Sequence, residues 1–375
     1  MTPSRSSNIL IVGAGIVGCA IAYELSRRGA SVQIIDDRLP GMGATQASAG
    51  MLAPYTEAKD RNTLFLDLAV RSLELYDEFV ARAAADAGTS IGYNRAGTIE
   101  IAASDERMTE LREVARRLAA RGVALDVLDA QGSRTLEPQL GAEVVGGLLI
   151  GAHGYVNAFE LAQALFTSAR CFGAKFLDGG RARRIKRHGS DLHVEANDRT
   201  YTAHSAIVTA GSWSGQLEIE GAAGLPVRPV RGQMLHLAWK GGSALRRVTW
   251  GDRCYLVPWD DGTVLVGATM EDVGFDERNT MAGVQDLLNA AGALVPNVRG
   301  AGFLGARAGL RPATPDAMPI IGWSRAVPNV MYATGHFRNG VLLAPLTAQL
   351  VADALIDGRI DPSLDAIGPA RFGEL

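Results

Sequence analysis

Asn8-Ile9-Leu10-Ile11-Val12-Gly13-Ala14-Gly15-Ile16-Val17-Gly18 is the stretch whose reading decides the fold. The run ending at Val12 is continuously apolar, as a strand covered on both faces is, and it leads without a linker into Gly-x-Gly-x-x-Gly. Ile16, Val17, Ala20, Ile21 and Leu25 then recur at helical spacing, and Gly29 follows as a left-handed stop. Val32-Gln33-Ile34-Ile35 reads as a second strand that ends on the acidic pair Asp36 and Asp37. The three glycines act differently. Gly13 permits the tight turn, Gly15 lets backbone approach a pyrophosphate, and Gly18 lets helix and strand pack closely. The free N–H groups of the helix start, around Ile16 and Val17, face the phosphates with a partial positive charge. Asp36 is placed to accept hydrogen bonds from a ribose. Gly-x-Gly-x-x-Gly alone is a weak signal, whereas strand, motif, helix, strand and acid in this order specify a dinucleotide-binding βαβ unit. NAD and FAD share the half of the cofactor that such a unit holds, so the unit does not choose between them.

The next segment leans toward FAD. Gly41-Met42-Gly43-Ala44-Thr45-Gln46-Ala47-Ser48-Ala49-Gly50-Met51-Leu52 is a long run of small and hydroxylic residues that can lie against an extended cofactor and offer it backbone donors. An NAD domain more often moves on to its next regular helix; the plain alternative is a surface loop rich in glycine and serine. The chain of 375 residues is long enough for two packed domains. Its 37 basic and 40 acidic residues are intermixed, with a formal charge of −3, which leaves no broad basic face for nucleic acid or anionic lipid. Cys19, Cys171 and Cys254 are scattered and form neither a disulfide framework nor a metal-ligand pattern. The polar Met1 to Ser7 runs straight into the first strand without a secretory signal, and about 18 consecutive apolar residues occur nowhere. The sequence therefore reads as a cytoplasmic protein without a metal or a membrane span, acting on small molecules.

Further along, Thr98 to Ala102 reads as a strand, followed by a helix from Asp105 to Arg121 with Ser104 as its cap and Gly122 as its stop. The charges on that helix read as a solvated face. From Arg228 onward several strand-like stretches follow, among them Cys254 to Val257 and Thr263 to Ala268 around the turn Asp260-Asp261-Gly262. The middle of the chain is sheet-rich.

Taken with the first unit, the segments Val208-Thr209-Ala210-Gly211-Ser212-Trp213-Ser214, Pro229-Val230-Arg231-Gly232-Gln233, Cys254-Tyr255-Leu256-Val257-Pro258, Gly309-Leu310-Arg311-Pro312 and Gly335-His336-Phe337-Arg338-Asn339-Gly340 resemble the D-amino-acid oxidase superfamily of flavoproteins. The last three are similar to its glycine oxidase branch. The resemblance covers almost the whole chain. It implies an α/β and α+β architecture: a glutathione-reductase-like, Rossmann-type FAD-binding domain interleaved with a sheet-rich substrate-binding domain. The FAD domain is expected from residues 1–80, 146–226 and 310–375, and the substrate domain from 81–145 and 227–309.

The resemblance also implies the chemistry: a small amino acid is oxidised at its α-carbon, with dioxygen as the final acceptor, giving an imine and hydrogen peroxide. Glycine is the first choice, sarcosine and small D-amino acids come next, and the branch feeds thiazole formation in thiamine synthesis. Such a reaction needs the substrate carboxylate held still, which a planar arginine fork does well. Arg311 matches the carboxylate-binding arginine of the family, Tyr255 matches a tyrosine that donates to the same carboxylate, and Arg338 is expected to border the substrate. Without the family context, a salt bridge for Arg311 and an amphipathic wall for Tyr255 would be the plainer readings. Arg253 departs from the pattern, standing where the branch carries histidine, and a permanent charge there bears on which substrates fit. Besides the first unit, with Asp36 and Asp37, the expected FAD contacts are Ala44, Thr45, Ala49, Gly50, Met51, Ala182, and His336, Phe337, Arg338, Asn339, Gly340, Val341 and Leu342. The start of the apolar helix near Val341 is expected to stabilise negative charge on the flavin, with His336 as a turn residue rather than an acid or base. A neutral amine that gives up its hydride directly needs no general base.

Sarcosine oxidases hold flavin covalently through a cysteine in the motif that here reads Gly309-Leu310-Arg311-Pro312, so the FAD is expected to be non-covalent. A D-amino-acid dehydrogenase passing electrons to a quinone, a sarcosine-oxidase-like enzyme, and a flavin-binding protein without turnover are the alternatives. A homotetramer follows from the glycine oxidase pattern, without an interface signal of its own in the sequence.

Overall fold

The run Asn8–Val12 forms an inner strand of a six-stranded sheet, parallel to Ser31–Asp36 on one side and Ser205–Val208 on the other. The sheet runs in the order Ile320–Trp323, Val330–Thr334, Ser205–Val208, Asn8–Val12, Ser31–Asp36, Lys175–Asp178, and its first strand is antiparallel to its neighbour. The computed structural model describes residues 8–57, 63–178, 180–239 and 245–375; the polar stretch from Met1 to Ser7 lies outside them.

Why the first strand is apolar throughout follows from its two neighbours in depth. Alternate residues of a strand point to opposite faces. Ile9 and Ile11 enter a core built with the helices Ile16–Arg27, Thr63–Glu74, Tyr76–Ala87, Ala158–Cys171 and Gly340–Ala352. Leu10 and Val12 enter a second core on the other face, against Ile185, Leu192 and Val194 of a four-stranded sheet. That sheet runs Arg199–Ala203, Asp191–Ala196, Ala182–His188, Glu218–Ile219.

The helix Gly340–Ala352 is apolar all round and buried, and it carries Pro345 in its interior. A proline there has no N–H for the carbonyl four residues back, which is that of Val341. The hydroxyl of the fully buried Tyr76 donates to the Val341 carbonyl instead. Ser72 Oγ donates to the next carbonyl, that of Leu342, at 2.6 Å. The helix Thr63–Glu74 and the residue Tyr76 thus repair the interruption from the side. Gly340–Asp357 as a whole is long and apolar enough to cross a membrane, and 67% of it is buried inside the fold. Among the described residues no other helix meets that test.

An eight-stranded sheet forms the other large layer, in the order Gly302–Ala313, Arg228–Ala238, Thr263–Gly267, Tyr255–Pro258, Val248–Trp250, Thr98–Ala102, Gly146–Ile150, Asp126–Asp129. Its long antiparallel pair sets Arg311 opposite Val230 and Gly309 opposite Gly232. Gly262 takes the left-handed conformation, with φ +82°, in the turn between the third and fourth strands. A small sheet of Met51–Leu52, Gly154–Val156 and Tyr93–Asn94 lies in the 41–156 region.

Several boundaries move by one or two residues from the sequence expectation. The helix capped by Ser104, whose Oγ accepts from Arg107 N–H, ends at Ala119 rather than Arg121. Its last turn tightens into 3₁₀-type bonds from Arg121 to Leu118 and from Gly122 to Ala119, as helix ends do. The strand expected from Cys254 begins at Tyr255, because the Cys254 carbonyl closes a turn with Gly251 N–H. Gly146–Ile150 and Gly302–Ala313 belong whole to the eight-stranded sheet, so the expected division at 146 separates a strand from its sheet and that at 310 cuts through a strand.

Tyr76→Phe removes the hydroxyl and leaves the Val341 carbonyl buried without a donor. A loss of about 1–3 kcal/mol of stability is expected, read from urea unfolding. An unchanged midpoint would show that the helix repairs itself by another route.

Candidate active site

The carboxyl ends of the parallel strands converge where the chain turns at Gly13, whose N–H donates to the Ile35 carbonyl at 2.8 Å. Thr209, just beyond Ser205–Val208, donates through Oγ1 to the carbonyls of Gly13 (2.8 Å) and Val12 (3.0 Å). Gly13 has φ +113°, and a Cβ on it would stand 2.5 Å from the Thr209 carbonyl oxygen. A Cβ on Gly18 would run into the Gly13 carbonyl from beneath. Ligands of open α/β sheets bind at such strand ends, and here a single cavity extends from this turn across to the eight-stranded sheet.

Gly13, Gly15, Ile16 and Val17 line the cavity, and Gly18 does not: it serves the packing below. The Ile16 N–H at the helix start donates to Thr45 Oγ1 at 3.0 Å. Asp36 also lines the cavity, but both its oxygens already take backbone donors, Ala14 N–H at 2.6 Å and Arg38 N–H at 2.9 Å. Burial raises its pKa. Asp37 pairs with Arg181 at 2.9 Å, and Ala182 follows on the same wall. The Trp213 ring receives two guanidinium groups, Arg38 at 4.5 Å and Arg181 at 5.4 Å from its centre. Ala44, Thr45, Ala49, Gly50 and Met51 line the cavity together. Their strip is pinned where Val156 N–H donates to the Gly50 carbonyl, so close that a side chain at Gly50 would collide with Val156.

The residues from His336 to Val341 form another wall; Leu342 does not reach it and is buried in the helical core. Phe337 sits at φ +51° with its N–H on the Pro312 carbonyl at 2.9 Å. His336 is buried beside Thr347 Oγ1 at 3.1 Å, and burial pushes its pKa down to about 4, so the ring is neutral near pH 7. The buried Asn339 lines the cavity, and its Nδ2 has no hydrogen-bond partner among the described residues. An orphaned buried donor calls for an acceptor.

Across the cavity stand Tyr255, Arg253, Arg311 and Arg338. Arg311 Nη1 donates to the carbonyls of Thr269 (3.0 Å) and Arg231 (3.3 Å). Its guanidinium lies across Gly232, where a Cβ would overlap it. Beneath that strand the buried Arg231 pairs with Glu271 and, at 3.1 Å, with Asp276. Burial alone would raise the Glu271 pKa, but hydrogen bonds from Arg231, Thr269 and Gln233 bring it below the usual value. Tyr255 lies over Gly267 in the same way, with its ring 5.5 Å from that of Trp250. The Arg338 guanidinium lies 5.7 Å from the centre of the Phe337 ring. Trp250, Met270, Asp252 and Cys254 complete this wall and escaped the sequence reading. Gly232 escaped it too, although an isolated glycine in a strand pattern marks a close approach. Burial raises the Cys254 thiol to about 12, so it is uncharged.

A glycine turn at a helix start, a strip of small residues, an orphaned amide donor and an arginine-rich far wall define a nucleotide-dependent enzyme of the doubly wound class. The chain belongs to the DAO family of FAD dependent oxidoreductases, whose pattern matches residues 8–354. It is 35% identical to the bifunctional protein ThiO/ThiG of Synechocystis sp. over 98% of this chain, and it spans only 54% of that protein's length. It is 31% identical to the glycine oxidase of Geobacillus kaustophilus over 92% of each protein. The crystal structure of glycine oxidase from that organism superposes with a TM-score of 0.92 over 98% of this chain and 99% of the other. Iminodiacetate oxidase from Chelativorans sp. superposes with a TM-score of 0.86 at 29% identity, covering 96% of this chain and 98% of that one. The cofactor is FAD, and the fold is the Rossmann-type FAD-binding unit with its sheet-rich companion.

Gly232→Ala would put a methyl group where the Arg311 guanidinium lies. Acetate binding, followed as a perturbation of the flavin absorbance band, is expected to weaken at least about tenfold with the FAD content unchanged. Undiminished affinity would show that Arg311 does not depend on the bare strand.

Proposed function

We propose that the protein oxidises a small amino acid at its α-carbon, with glycine the first substrate to test, and that dioxygen takes the electrons to give hydrogen peroxide. The observation that carries this reading is Arg311, held by two backbone carbonyls across Gly232 in the cavity that the FAD-binding turn also lines. When bound, FAD supplies the acceptor for the hydride, and the substrate is left as an imine that water hydrolyses to an oxo acid and ammonia.

The residues of the chain do the rest. Arg311 binds the carboxylate through its fork, which stays charged at any working pH. Tyr255, fixed against Gly267 and Trp250, presents its phenol to the same carboxylate. Together they remove the rotational freedom of a substrate too small to orient itself. Arg338, at the start of the buried helix, borders the bound amino acid. His336 is neutral and occupied by Thr347, and Cys254 is an uncharged thiol, so neither offers a base. That fits transfer from an amine that arrives already neutral. The first unit, the strip Ala44–Met51, Asn339 and the backbone from His336 to Val341 would hold the FAD. The binding is non-covalent, since Gly309-Leu310-Arg311-Pro312 contains no cysteine.

Similarity to glycine oxidases and to a ThiO/ThiG protein supports glycine and a supply of its imine to thiazole formation. Similarity to iminodiacetate oxidase extends the substrate set to N-substituted glycines. A dehydrogenase that passes electrons to a quinone is the alternative, distinguished by the yield of peroxide.

Anaerobic mixing with glycine, sarcosine, D-alanine or D-proline should bleach the flavin band, and the same mixture in air should form peroxide in step with turnover. Bleaching without peroxide would favour the dehydrogenase, and no bleaching by any amino acid would remove the proposal. Arg311→Ala is expected to raise KM on the order of 100-fold with the flavin retained; unchanged kinetics would misplace the carboxylate.

A further inference from the structure

The charges that line the cavity are almost all matched within the fold. Asp36 is occupied by two backbone N–H groups, and Asp37 by Arg181. Arg38 is held in a two-point pair with Glu277 at 2.9 and 2.7 Å. Asp252 pairs at 2.8 Å with Arg107, which also engages Glu110 at 2.6 Å and the buried Glu100 at 3.5 Å. Arg253 is the exception. It lines the same cavity as Arg311 and makes no hydrogen bond or ion pair among the described residues. Asp252, its sequence neighbour and nearest natural counter-ion, is drawn toward Arg107 on the helix Asp105–Ala119.

Nor is Arg253 on a loose loop. Gly251 N–H donates to the Cys254 carbonyl at 2.8 Å, which makes Asp252 and Arg253 the two central residues of a tight hairpin turn. Below the turn, Trp250 and Tyr255 face each other in register with their rings in contact. Cys254 is buried beside Arg253. A guanidinium is therefore presented from a fixed backbone position, beside the tyrosine that meets the substrate carboxylate. Glycine has nothing to offer it.

We propose that Arg253 is a second anion-binding residue of the substrate site, and that the enzyme prefers amino or imino acids with a second carboxylate, one held by Arg311 and the other by Arg253. This rests on the amino-acid oxidase reading above. The second carboxylate is unchanged by the reaction; it contributes binding, and an arginine fork matches it in two-point fashion. A monocarboxylic substrate leaves that charge facing solvent.

The test uses the FAD-loaded enzyme and two inert acids, acetate and succinate, titrated at about 0.15 M ionic strength so that distant charges are screened. Binding is read from the flavin difference spectrum. Succinate is expected to bind at least tenfold more tightly than acetate. Arg253→Ala should reduce that preference to below threefold, and Arg253→Lys should retain part of it. Arg253→Gln, closer in shape, serves where the alanine variant loses FAD or melts early. Equal affinity for the two acids in the parent enzyme, or a preference that survives loss of the guanidinium, overturns the proposal. Anaerobic bleaching by glycine and by iminodiacetate is measured alongside. A diacid preference that depends on Arg253, with no bleaching by these two compounds or by any other amino acid tried, would sink the oxidase reading and leave Arg253 as an anion-binding residue of the cavity. Bleaching by glycine without any diacid preference would do the reverse.

Discussion

The Gly13 carbonyl is the point on which the two halves of the cofactor end depend. It accepts from Thr209 Oγ1 above, and Gly18 passes beneath it with no room for a side chain. Three segments far apart in sequence meet there: the first strand with its turn, the helix that follows, and the strand Ser205–Val208. If any one retreats, the helix start moves away from the strand ends, and its free N–H groups no longer converge on one place. The alternation of Ile9 and Ile11 toward one core with Leu10 and Val12 toward another holds this meeting point rigid, since both faces of the strand are packed.

The far wall is built by a different device. Antiparallel register brings Gly232 opposite Gly309, and each bare position admits something: Gly232 the Arg311 guanidinium, Gly309 the strip near Ala44, whose neighbour Ala47 would lie 2.8 Å from an added Cβ. One pair of glycines thus couples Arg311 to the segment expected along the cofactor. The cluster of buried Arg231 with the partly exposed Glu271 and Asp276 holds the backbone whose carbonyl accepts from Arg311, so the arginine is oriented by charges that do not line the cavity.

What was legible in the sequence is what local physics determines. The βαβ unit, the Ser104 cap, the Gly29 stop and the turn at Gly262 each express rules acting within a few residues, and each is present. The interactions that were not legible join distant positions. Tyr76 donates to Val341 across 265 positions, which is why Pro345 can sit inside a buried helix. Thr209 reaches Gly13 across 196. Arg107 reaches Asp252 from a helix that read only as a solvated face. Leu342 was expected at the cavity from its place in the turn-to-helix segment, but at a helix start consecutive residues diverge by about 100°, and its direction is the core. Trp250 and Met270 carry no motif; hairpin register brings Trp250 opposite Tyr255, and Met270 is held at the wall between Thr269 and Glu271, whose N–H groups donate to the Gln233 and Arg231 carbonyls.

The electrostatics of the cavity follow from this division. At the dinucleotide end, charges are neutralised by acid–arginine pairs: Asp37 with Arg181, both on the cavity wall, and Arg38 on that wall with Glu277 behind it. At the end lined by Arg311, the carbonyls of Arg231 and Thr269 accept from its Nη1 and orient the guanidinium, while Glu271 is occupied by Arg231 behind the strand. Arg253, Arg311 and Arg338 bring three guanidinium groups to that end of the cavity. In the proposed reaction an anionic substrate would meet these groups, and its neutral amine would be favoured over the ammonium form, because a second positive charge beside Arg311 would be repelled. Under the proposed reaction, the groups that would seat the carboxylate also favour a neutral amine, whose lone pair assists departure of hydride from the α-carbon, so no residue of the cavity would be required as a base.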